Sequence, residues 1–332
     1  MPDKIRVIQF GLGPIGSAMA RQVVEHAGLE LVGAVDIDPA KAGQDVGQVI
    51  GLERPLGFVV AENLEQALAH SQADVALHTT SSYFDLFKPQ IIQLLEAGLD
   101  VVSTSEELSF PWLAHPGEAA ELDGLARRVG KTVLGTGVNP GFVMDALPLN
   151  LTAICLRVDH IEVTRVINAS LRRGPFQAKI GSGLSASQFE ARMAAGRMGH
   201  VGLPESMHMV FDTLGRRLER YEDSVEPVLA ERTIKTSHFE VRPGQVCGLK
   251  QVARGYTHEE SEFMSLTFLA ALDAGEDGDT IRITGVPNLE IRLKGTNGDI
   301  ATVAIAINAI RRVRQAPPGL VTMRDLPIVT AW

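Results

Sequence analysis

Residues 5–16 read IRVIQFGLGPIG, an apolar run that ends in the glycine pattern Gly11-Leu12-Gly13-Pro14-Ile15-Gly16. The run predicts a buried strand, and the glycines that follow it open a helix. At such a turn the first glycine permits a tight bend, the second lets a pyrophosphate approach the backbone, and the third lets the helix pack against the sheet. Free N–H groups at the start of the helix then face the phosphates. The sequence therefore predicts a dinucleotide site built on this turn.

An acidic residue stands where such a site needs one. Asp36 lies twenty residues after Gly16, at the end of a second apolar run over residues 29–35. A carboxylate in this place accepts hydrogen bonds from the hydroxyls of an adenine ribose. It also repels a 2′-phosphate, so NAD is favoured over NADP. Lys41 lies nearby, and some enzymes of this type take both cofactors, so we expect NAD or NADP with a preference for NAD.

Short apolar strands alternate with helical patterns over the first 140 residues. The strands are predicted at residues 5–10, 29–35, 74–78, 101–104 and 132–134. A helix is predicted over residues 84–97, with Gly98 at its C-terminal cap. This alternation is typical of a parallel sheet with right-handed helical crossovers. Such a sheet binds its ligands beyond the carboxyl ends of the strands.

After residue 150 the pattern changes to one of consecutive strands. They are predicted at residues 157–168, 225–235, 245–254, 262–272, 280–284 and 289–293. The glycine-rich stretch 174–202 contains one helical segment, 186–195, and is interpreted as a lid or as a contact between domains or subunits. A last helix is predicted over residues 300–313, before a Pro-Pro-Gly stop at 317–319.

These patterns predict an α/β protein with two domains. We expect a Rossmann-type parallel sheet domain that binds the dinucleotide over residues 1–145, completed by the returning segment 298–332. An α+β domain with a mostly antiparallel sheet, for substrate binding and dimerisation, is expected over residues 146–297.

Composition limits the kinds of partner. The 332 residues are 45% hydrophobic and 21% charged, with a formal net charge of −9. Residues 1–150 contain 9 basic and 19 acidic side chains, a poor surface for nucleic acid. The chain has no polybasic run and no apolar stretch of the roughly 20 residues that a membrane span needs. Two cysteines and scattered histidines give no metal-ligand spacing, so we expect a cytoplasmic protein without a bound metal.

Polar side chains follow the third and fourth predicted strands, where a nicotinamide and its ribose would lie. The hydroxyl groups are those of Thr79, Thr80, Ser81, Ser103 and Thr104. Each hydroxyl is equally suited to capping the next helix. Glu106 and Glu107 come directly after them as candidates for proton transfer, with dipole-stabilised acids at a helix start as the alternative. Asn139 and Pro140 follow the fifth strand, towards the same crevice.

At these residues the chain resembles the 2,4-diaminopentanoate dehydrogenase family, which includes native amine dehydrogenases and is distantly similar to dihydrodipicolinate reductase. The matching stretches are VIQFGLGPIGSAMA (7–20), AVDIDPAKAGQDVG (34–47), VVSTSEELSFPW (101–112), LGTGVNPGFVMDALP (134–148) and residues 297–327. The resemblance implies NAD(P)-dependent oxidative deamination of an amine, such as 2,4-diaminopentanoate at C4, to a ketone and ammonia. It also implies the reverse reductive amination of ketones or aldehydes, and a homodimer.

The resemblance also implies roles for single residues. In that family an acidic residue of the segment matching STSEEL is the catalytic carboxylate, which favours Glu106 and keeps Glu107 in reserve. The positions that match the substrate pocket are Asn139, Arg165, Asn168, His200 and Thr302, and Pro140 joins them as a predicted substrate contact from its place after the fifth strand. Arg165 is suited to gripping a substrate carboxylate with two hydrogen bonds, or alternatively to a cross-strand salt bridge.

Other functions stay open at this point. A dihydrodipicolinate-reductase-like enzyme is disfavoured because the paired-histidine and lysine motif of that family is absent. An alcohol or semialdehyde dehydrogenase on the same scaffold would oxidise NADH without ammonia. A non-catalytic NAD-binding redox sensor is disfavoured because the chain has no basic DNA-binding segment.

Overall fold

The chain divides into two compact units in the computed structural model. The structure describes residues 4–69, 71–196, 198–258 and 260–332. The first unit extends to Phe142 and resumes from Gly298 to Trp332, and the second is Val143–Asn297. Within the described residues, no helix combines the length and the apolar character needed to cross a membrane.

The secondary structure follows the two kinds of pattern in the sequence. The first unit begins with β1 (Ile5–Phe10), α1 (Pro14–Glu25), β2 (Leu29–Val35), α2 (Val46–Val49), α3 (Leu64–Leu68), β3 (Val75–His78), α4 (Phe84–Glu96), β4 (Asp100–Ser103), a 3-10 turn (Glu106–Ser109), α5 (Pro116–Val129) and β5 (Thr132–Gly135). The second unit contains α6 (Ala146–Thr152), β6 (Arg157–Asn168), a 3-10 turn (Ala169–Leu171), α7 (Gly174–Lys179), α8 (Ala186–Ala194), α9 (Leu203–Thr213), β7 (Arg220–Leu229), β8 (Ile234–Lys235), β9 (Glu240–Val241), β10 (Val246–Tyr256), β11 (Glu262–Ala271), β12 (Gly278–Val286) and β13 (Leu289–Lys294). The first unit then resumes with α10 (Gly298–Val313) and β14 (Gly319–Val321).

The first sheet is parallel throughout and has the order β14-β5-β4-β3-β1-β2. From β1 the chain moves to β2 on one side and then returns to β3 on the other side. The strand order therefore reverses between β1 and β3. In open α/β sheets, ligands bind outside the carboxyl ends of the strands at such a point. The predicted parallel sheet is confirmed, and the glycine turn lies at its reversal point.

Two groups of helices pack on this sheet. Apolar side chains of α4 and α5 form one cluster with the strands, including Phe84, Phe87, Ile91, Leu94, Leu122, Ile8, Val101 and Val133. The helices α1 and α10, which contact each other and the sheet, bury a separate set that includes Met19, Val23, Ile307 and Ile310. Burial of this apolar surface fixes the strand ends that carry the candidate site.

The strand β14 was not predicted, because the Pro-Pro-Gly sequence indicated only the end of α10. Gly319 adopts a positive φ of 143° and turns the chain alongside β5. The backbone N–H of Leu320 then donates to Oδ1 of Asp123 on α5, at 2.9 Å. A strand of three residues is too short to show an alternating pattern, and its position depends on this distant carboxylate.

The second sheet is mixed and has the order β13-β12-β6-β11-β10-β7. Only β6 and β11 pair in parallel within this sheet; its other described pairs are antiparallel. Along β6 every second residue is buried, from Ile161 through Arg165 to Ile167. The prediction of an α+β unit with a mostly antiparallel sheet is confirmed.

Several elements of the second unit differ from the predictions. The single strand predicted over residues 225–235 is wrong: β7 ends at Leu229, and β8 pairs with β9 in a separate sheet. The chain leaves β7 because Ala230 exchanges backbone hydrogen bonds with Gln245 and Gly244. The glycine-rich stretch 174–202 forms α7 as well as the predicted helix α8. The helix α9 was not predicted; it begins at Leu203, directly after its N-cap residue Gly202, which has a φ of +101°. The lid interpretation stays a prediction, and Arg197 lies outside the described residues.

Candidate active site

The glycine turn between β1 and α1 is tight on one side and open on the other. A Cβ added to Gly16 would lie 2.0 Å from the carbonyl oxygen of Gly11, and one added to Gly11 would lie 2.6 Å from that of Thr79. Gly11 also has a φ of +93°. Gly13, at the N-cap of α1, has open space where a side chain would project. This cradle fits a phosphate group that approaches the backbone at a helix start.

The side chains of Gln9 and Thr79 hold the glycine turn in place through hydrogen bonds. Nε2 of Gln9 donates to the carbonyl oxygen of Gly11 at 3.0 Å and to Oγ1 of Thr79 at 2.9 Å. The Thr79 hydroxyl donates to the same Gly11 oxygen at 2.8 Å. The predicted cofactor residue Thr79 thus ties β3 to the turn. Gln9 was missed, although a polar residue inside the apolar run IRVIQF is a signal.

The carboxylate of Asp36 lies against the turn. Its two oxygens accept hydrogen bonds from the backbone N–H groups of Leu12 at 2.7 Å and Asp38 at 2.8 Å. Nζ of Lys41 lies 3.1 Å from Asp36 and 3.4 Å from Asp38. Partial burial acts to raise the pKa of Asp36, but these donors together lower it below its ordinary value. The structure therefore brings the predicted acid and glycine turn together, and adds a cation beside them.

The other predicted hydroxyls mostly have partners within the protein. The exposed Thr80 donates to Oε1 of Gln90 at 2.6 Å, and Ser81 Oγ accepts from the backbone of Tyr83 at 3.2 Å. Ser103 is buried and lies 2.9 Å from the ring of His78. Thr104 is half-buried and donates its backbone N–H to the His78 carbonyl. Contacts of these residues with a cofactor stay a prediction.

The two adjacent glutamates lie in different surroundings. Oε2 of Glu107 accepts a hydrogen bond from the backbone N–H of Phe84, the first residue of α4, at 2.5 Å. The same oxygen lies 3.6 Å from Nε2 of His115. The N-cap residue of α4, Tyr83, makes no side-chain capping bond, so Glu107 caps this helix from another element. Glu106 is half-buried at the start of the 3-10 turn after β4.

The candidate residues after β5 form a second turn at the same edge. Oγ1 of Thr302, on α10, accepts a hydrogen bond from the backbone N–H of Val138 at 3.3 Å. Asn139 is buried, and its peptide bond to Pro140 is cis. The next residue, Gly141, has a φ of +121° and no room for a Cβ. Three predicted pocket residues, Asn139, Pro140 and Thr302, are thus brought together within the first unit.

In the second unit the register aligns a row of side chains across four strands. Gln251 pairs with Phe268, Phe268 with Arg165, and Arg165 with Asp279. The ring of His200 lies over Phe268, with 4.6 Å between centroids. Oε1 of Gln251 accepts from the backbone N–H of His200 at 2.6 Å, and Nε2 donates to its carbonyl at 3.3 Å. The row therefore brings His200 and Arg165 to one face of the sheet.

Arg165 is buried in an ion pair with Asp279. Nη1 of Arg165 lies 3.3 Å from Oδ1 of Asp279, and both side chains are almost completely buried. Burial lowers the pKa of Arg165 and raises that of Asp279, and each partner's charge opposes the other's shift. Of the two interpretations of Arg165, the structure shows the cross-strand salt bridge. Asp279 was missed because opposite charges cannot be paired before the register is known.

Asn168 serves the turn that follows β6. Its Oδ1 accepts from the backbone N–H of Ser170 at 3.0 Å, and its Nδ2 donates to the carbonyl of Gly275 at 2.9 Å. The side chain thus caps the 3-10 turn Ala169–Leu171. A contact between Asn168 and substrate stays a prediction.

Comparison with known proteins gives consistent matches over both units. The family described as 2,4-diaminopentanoate dehydrogenase C-terminal domain matches residues 142–332, and that described as dihydrodipicolinate reductase N-terminus matches residues 5–103. A 2,4-diaminopentanoate dehydrogenase of Acetoanaerobium sticklandii is 32% identical over 99% of this chain and 95% of its own. An amine dehydrogenase of Streptomyces virginiae is 23% identical over 98% and 96% of the two chains. The structure of an amine dehydrogenase from Mycobacterium smegmatis matches with a TM-score of 0.88 and 25% identity, over 100% of this chain and 98% of that one.

The buried ion pair predicts a dependence of stability on both partners. Asp279→Leu should lower the free energy of unfolding by about 3–5 kcal/mol, because it leaves the Arg165 charge buried without its ion-pair partner. The double variant Arg165→Leu/Asp279→Leu should regain most of this loss, measured by chemical denaturation. As the control, Glu290→Leu on β13 removes one of the two carboxylates that pair with the exposed Arg282 on β12, and it should change stability little. A double variant no more stable than Asp279→Leu would contradict this account.

Proposed function

Since the chain belongs to the 2,4-diaminopentanoate dehydrogenase family, we propose that it is an NAD(P)-dependent amine dehydrogenase. The reaction is the reversible oxidative deamination of an amine, such as 2,4-diaminopentanoate at C4, to a ketone and ammonia. One observation carries the proposal: Glu106 lies three residues after the end of β4, at the carboxyl edge of the sheet that holds the glycine turn. A general base and a dinucleotide cradle at one edge are what amine oxidation by hydride transfer requires.

The glycine turn and Asp36 fit a nicotinamide dinucleotide. The phosphates would lie at the open side of Gly13, against the N–H groups at the start of α1. The Asp36 carboxylate would accept from the adenine ribose hydroxyls, and Thr80 and Thr104 are the proposed contacts nearer the nicotinamide. When bound, the dinucleotide supplies the acceptor for a hydride.

Glu106 takes the proton that blocks oxidation of the amine. A protonated amine has no lone pair on nitrogen, so its carbon cannot release hydride with formation of a C=N bond. We propose that the Glu106 carboxylate removes this proton. The neutral nitrogen then shares its lone pair as the hydride leaves the adjacent carbon, and the substrate becomes an iminium ion. Once Glu106 has released the substrate's proton to solvent, its carboxylate stabilises that cation.

Glu106 also serves the hydrolytic half of the reaction. The ionised carboxylate then accepts a proton from water as the water adds to the iminium carbon, which gives a carbinolamine. Returning a proton to nitrogen lets ammonia leave and the ketone form. In the reverse direction ammonia adds to the ketone, and the protonated carboxyl helps to expel water. Asn139, with Thr302 supporting its turn, is the proposed polar contact for the substrate in the first unit.

The reaction is tested with a panel of ketones and aldehydes, with and without a carboxylate, incubated with NADH or NADPH. We expect oxidation of the reduced cofactor to depend on ammonium, with an amine identified by mass analysis. Oxidation without ammonium, and a product bearing hydroxyl, would favour an alcohol dehydrogenase instead. Tight NADH binding with no turnover of any compound would favour a redox sensor. The same panel shows whether a substrate carboxylate raises kcat/KM.

The expected homodimer is tested separately, by sedimentation.

The two glutamates are distinguished by matched substitutions. Glu106→Gln should lower kcat for deamination by about 100- to 10,000-fold, the usual contribution of a positioned acid–base group. Glu107→Gln retains an oxygen that accepts from the backbone of Phe84, so turnover should stay near that of the wild type. Both are measured as amine-dependent reduction of NAD. Near-normal turnover in Glu106→Gln, with loss in Glu107→Gln, would transfer the role of base to Glu107.

Cofactor preference should depend on Asp36 and Lys41. Asp36→Ser removes the carboxylate that repels a 2′-phosphate and releases the Lys41 ammonium to contact it. The ratio of kcat/KM for NADPH over NADH should rise by about 10-fold or more, since a hydrogen bond to a charged group contributes about 1.5–3 kcal/mol. Adding Lys41→Ala should cancel this gain. Asp38→Ser, which removes a carboxylate that contacts Lys41 but not the turn, is the control. An unchanged ratio of kcat/KM for NADPH over NADH in Asp36→Ser would show that the adenine ribose does not bind at Asp36.

A further inference from the structure

A buried hydrogen-bond chain lies between β3 and β4, directly below the carboxyl edge. The ring of His78 is completely buried. Its Nε2 lies 2.7 Å from Oε1 of Gln90, and its Nδ1 lies 2.9 Å from Oγ of Ser103. Because an amide oxygen only accepts, Nε2 carries the proton and Nδ1 accepts from the Ser103 hydroxyl. Burial lowers the pKa of His78 to about 4, so the ring keeps this neutral form near neutral pH.

The hydrogen-bond chain continues from Ser103 to the backbone of Ser105, the residue before Glu106. Oγ of Ser103 donates to His78 and accepts a hydrogen bond from the backbone N–H of Ser105 at 3.1 Å. On the other side of Glu106, the hydroxyl of Ser109 donates to the Glu106 carbonyl at 2.8 Å. The next residue, Glu107, is fixed by its bond to the start of α4. The backbone of Glu106 is thus held from both directions.

We propose that His78 is a positioning residue for Glu106, acting through the Ser103 hydroxyl and the Ser105 peptide. The inference rests on the proposed function, because it concerns the placement of the base for amine oxidation. This hydrogen-bond chain ends at the backbone N–H of Ser105, which does not give up its proton. The hydrogen bonds therefore fix the position of Glu106 and do not transfer a proton. A neutral imidazole suits this task because one nitrogen donates and the other accepts. Displacement of a catalytic group by about 1 Å can lower the rate about 100-fold.

Two substitutions of His78 distinguish the roles of its two ring nitrogens. In His78→Asn the amide oxygen stands near the place of Nδ1, so it can accept from Ser103. In His78→Gln the amide nitrogen stands near the place of Nε2, so the acceptor for Ser103 is lost. For His78→Gln we expect kcat to fall about 10- to 100-fold, with the KM for the amine and the Kd for NADH unchanged. For His78→Asn we expect kcat within a few-fold of the wild type.

A second pair of variants tests the chain without changing the ring. Ser103→Ala removes the central hydroxyl and should lower kcat about 10-fold while the KM for the amine stays the same. The control is Thr132→Val at the amino end of β5. It removes another buried hydroxyl, which donates to the Pro317 carbonyl at 3.1 Å. It should leave kcat unchanged.

Several results would overturn the inference. One is wild-type kcat in both His78→Gln and Ser103→Ala. Another is an equal loss in His78→Asn and His78→Gln, and a third is an equal loss in Ser103→Ala and Thr132→Val. If His78→Gln does not fold, as judged by loss of NADH binding, the Ser103→Ala result decides. A wild-type protein that turns over no amine overturns the proposed function, and this inference with it.

Discussion

The first unit depends on the contact between Gly16 and the carbonyl oxygen of Gly11. With 2.0 Å between that oxygen and the place of a Cβ, only glycine lets α1 start so close to the end of β1. Gln9 and Thr79 donate to the same oxygen, which ties β3 to the turn on the other side of β1. The strand order reverses at this point, so the contact also defines the crevice. The Asp36 carboxylate binds the Leu12 N–H only because the turn brings that N–H to the end of β2.

The titratable groups at this edge are held in different states by different surroundings. Hydrogen bonds from the backbone and Lys41 lower the pKa of Asp36, which keeps it a carboxylate for the hydroxyls of a ribose. Burial keeps His78 neutral and makes it a fixed donor and acceptor. Glu107 caps α4 and lies beside His115. None of these groups is arranged to take a proton from a substrate ammonium, which supports the assignment of that step to Glu106.

The sequence predicted local features more completely than pairings. The glycine turn, Asp36 and the strands before them follow from short patterns, because each needs only neighbouring residues. The residue pattern did not separate Glu106 from Glu107, and only the family resemblance favoured Glu106, because the bond that distinguishes them comes from Phe84 on α4. Likewise β14 depends on Asp123, and the partner of Arg165 depends on the register between β6 and β12. Such contacts join positions distant in the chain, and a single sequence carries no signal for them.

The buried pair of Arg165 and Asp279 in the second unit shows how a contact between distant positions can fix a strand register. A one-residue slip of β12 against β6 would move Asp279 to the opposite face and leave the Arg165 guanidinium buried alone. The same slip would move Ile281 and Ile283 off the buried face, so the ion pair adds to a preference that these apolar residues already set. The ion pair therefore favours one register over its neighbours, even though pairs of this kind add little net stability. Phe268 lies beside Arg165 on the other side of β6, in the separate register of β11 against β6, so the ring of His200 rests on the same row of side chains.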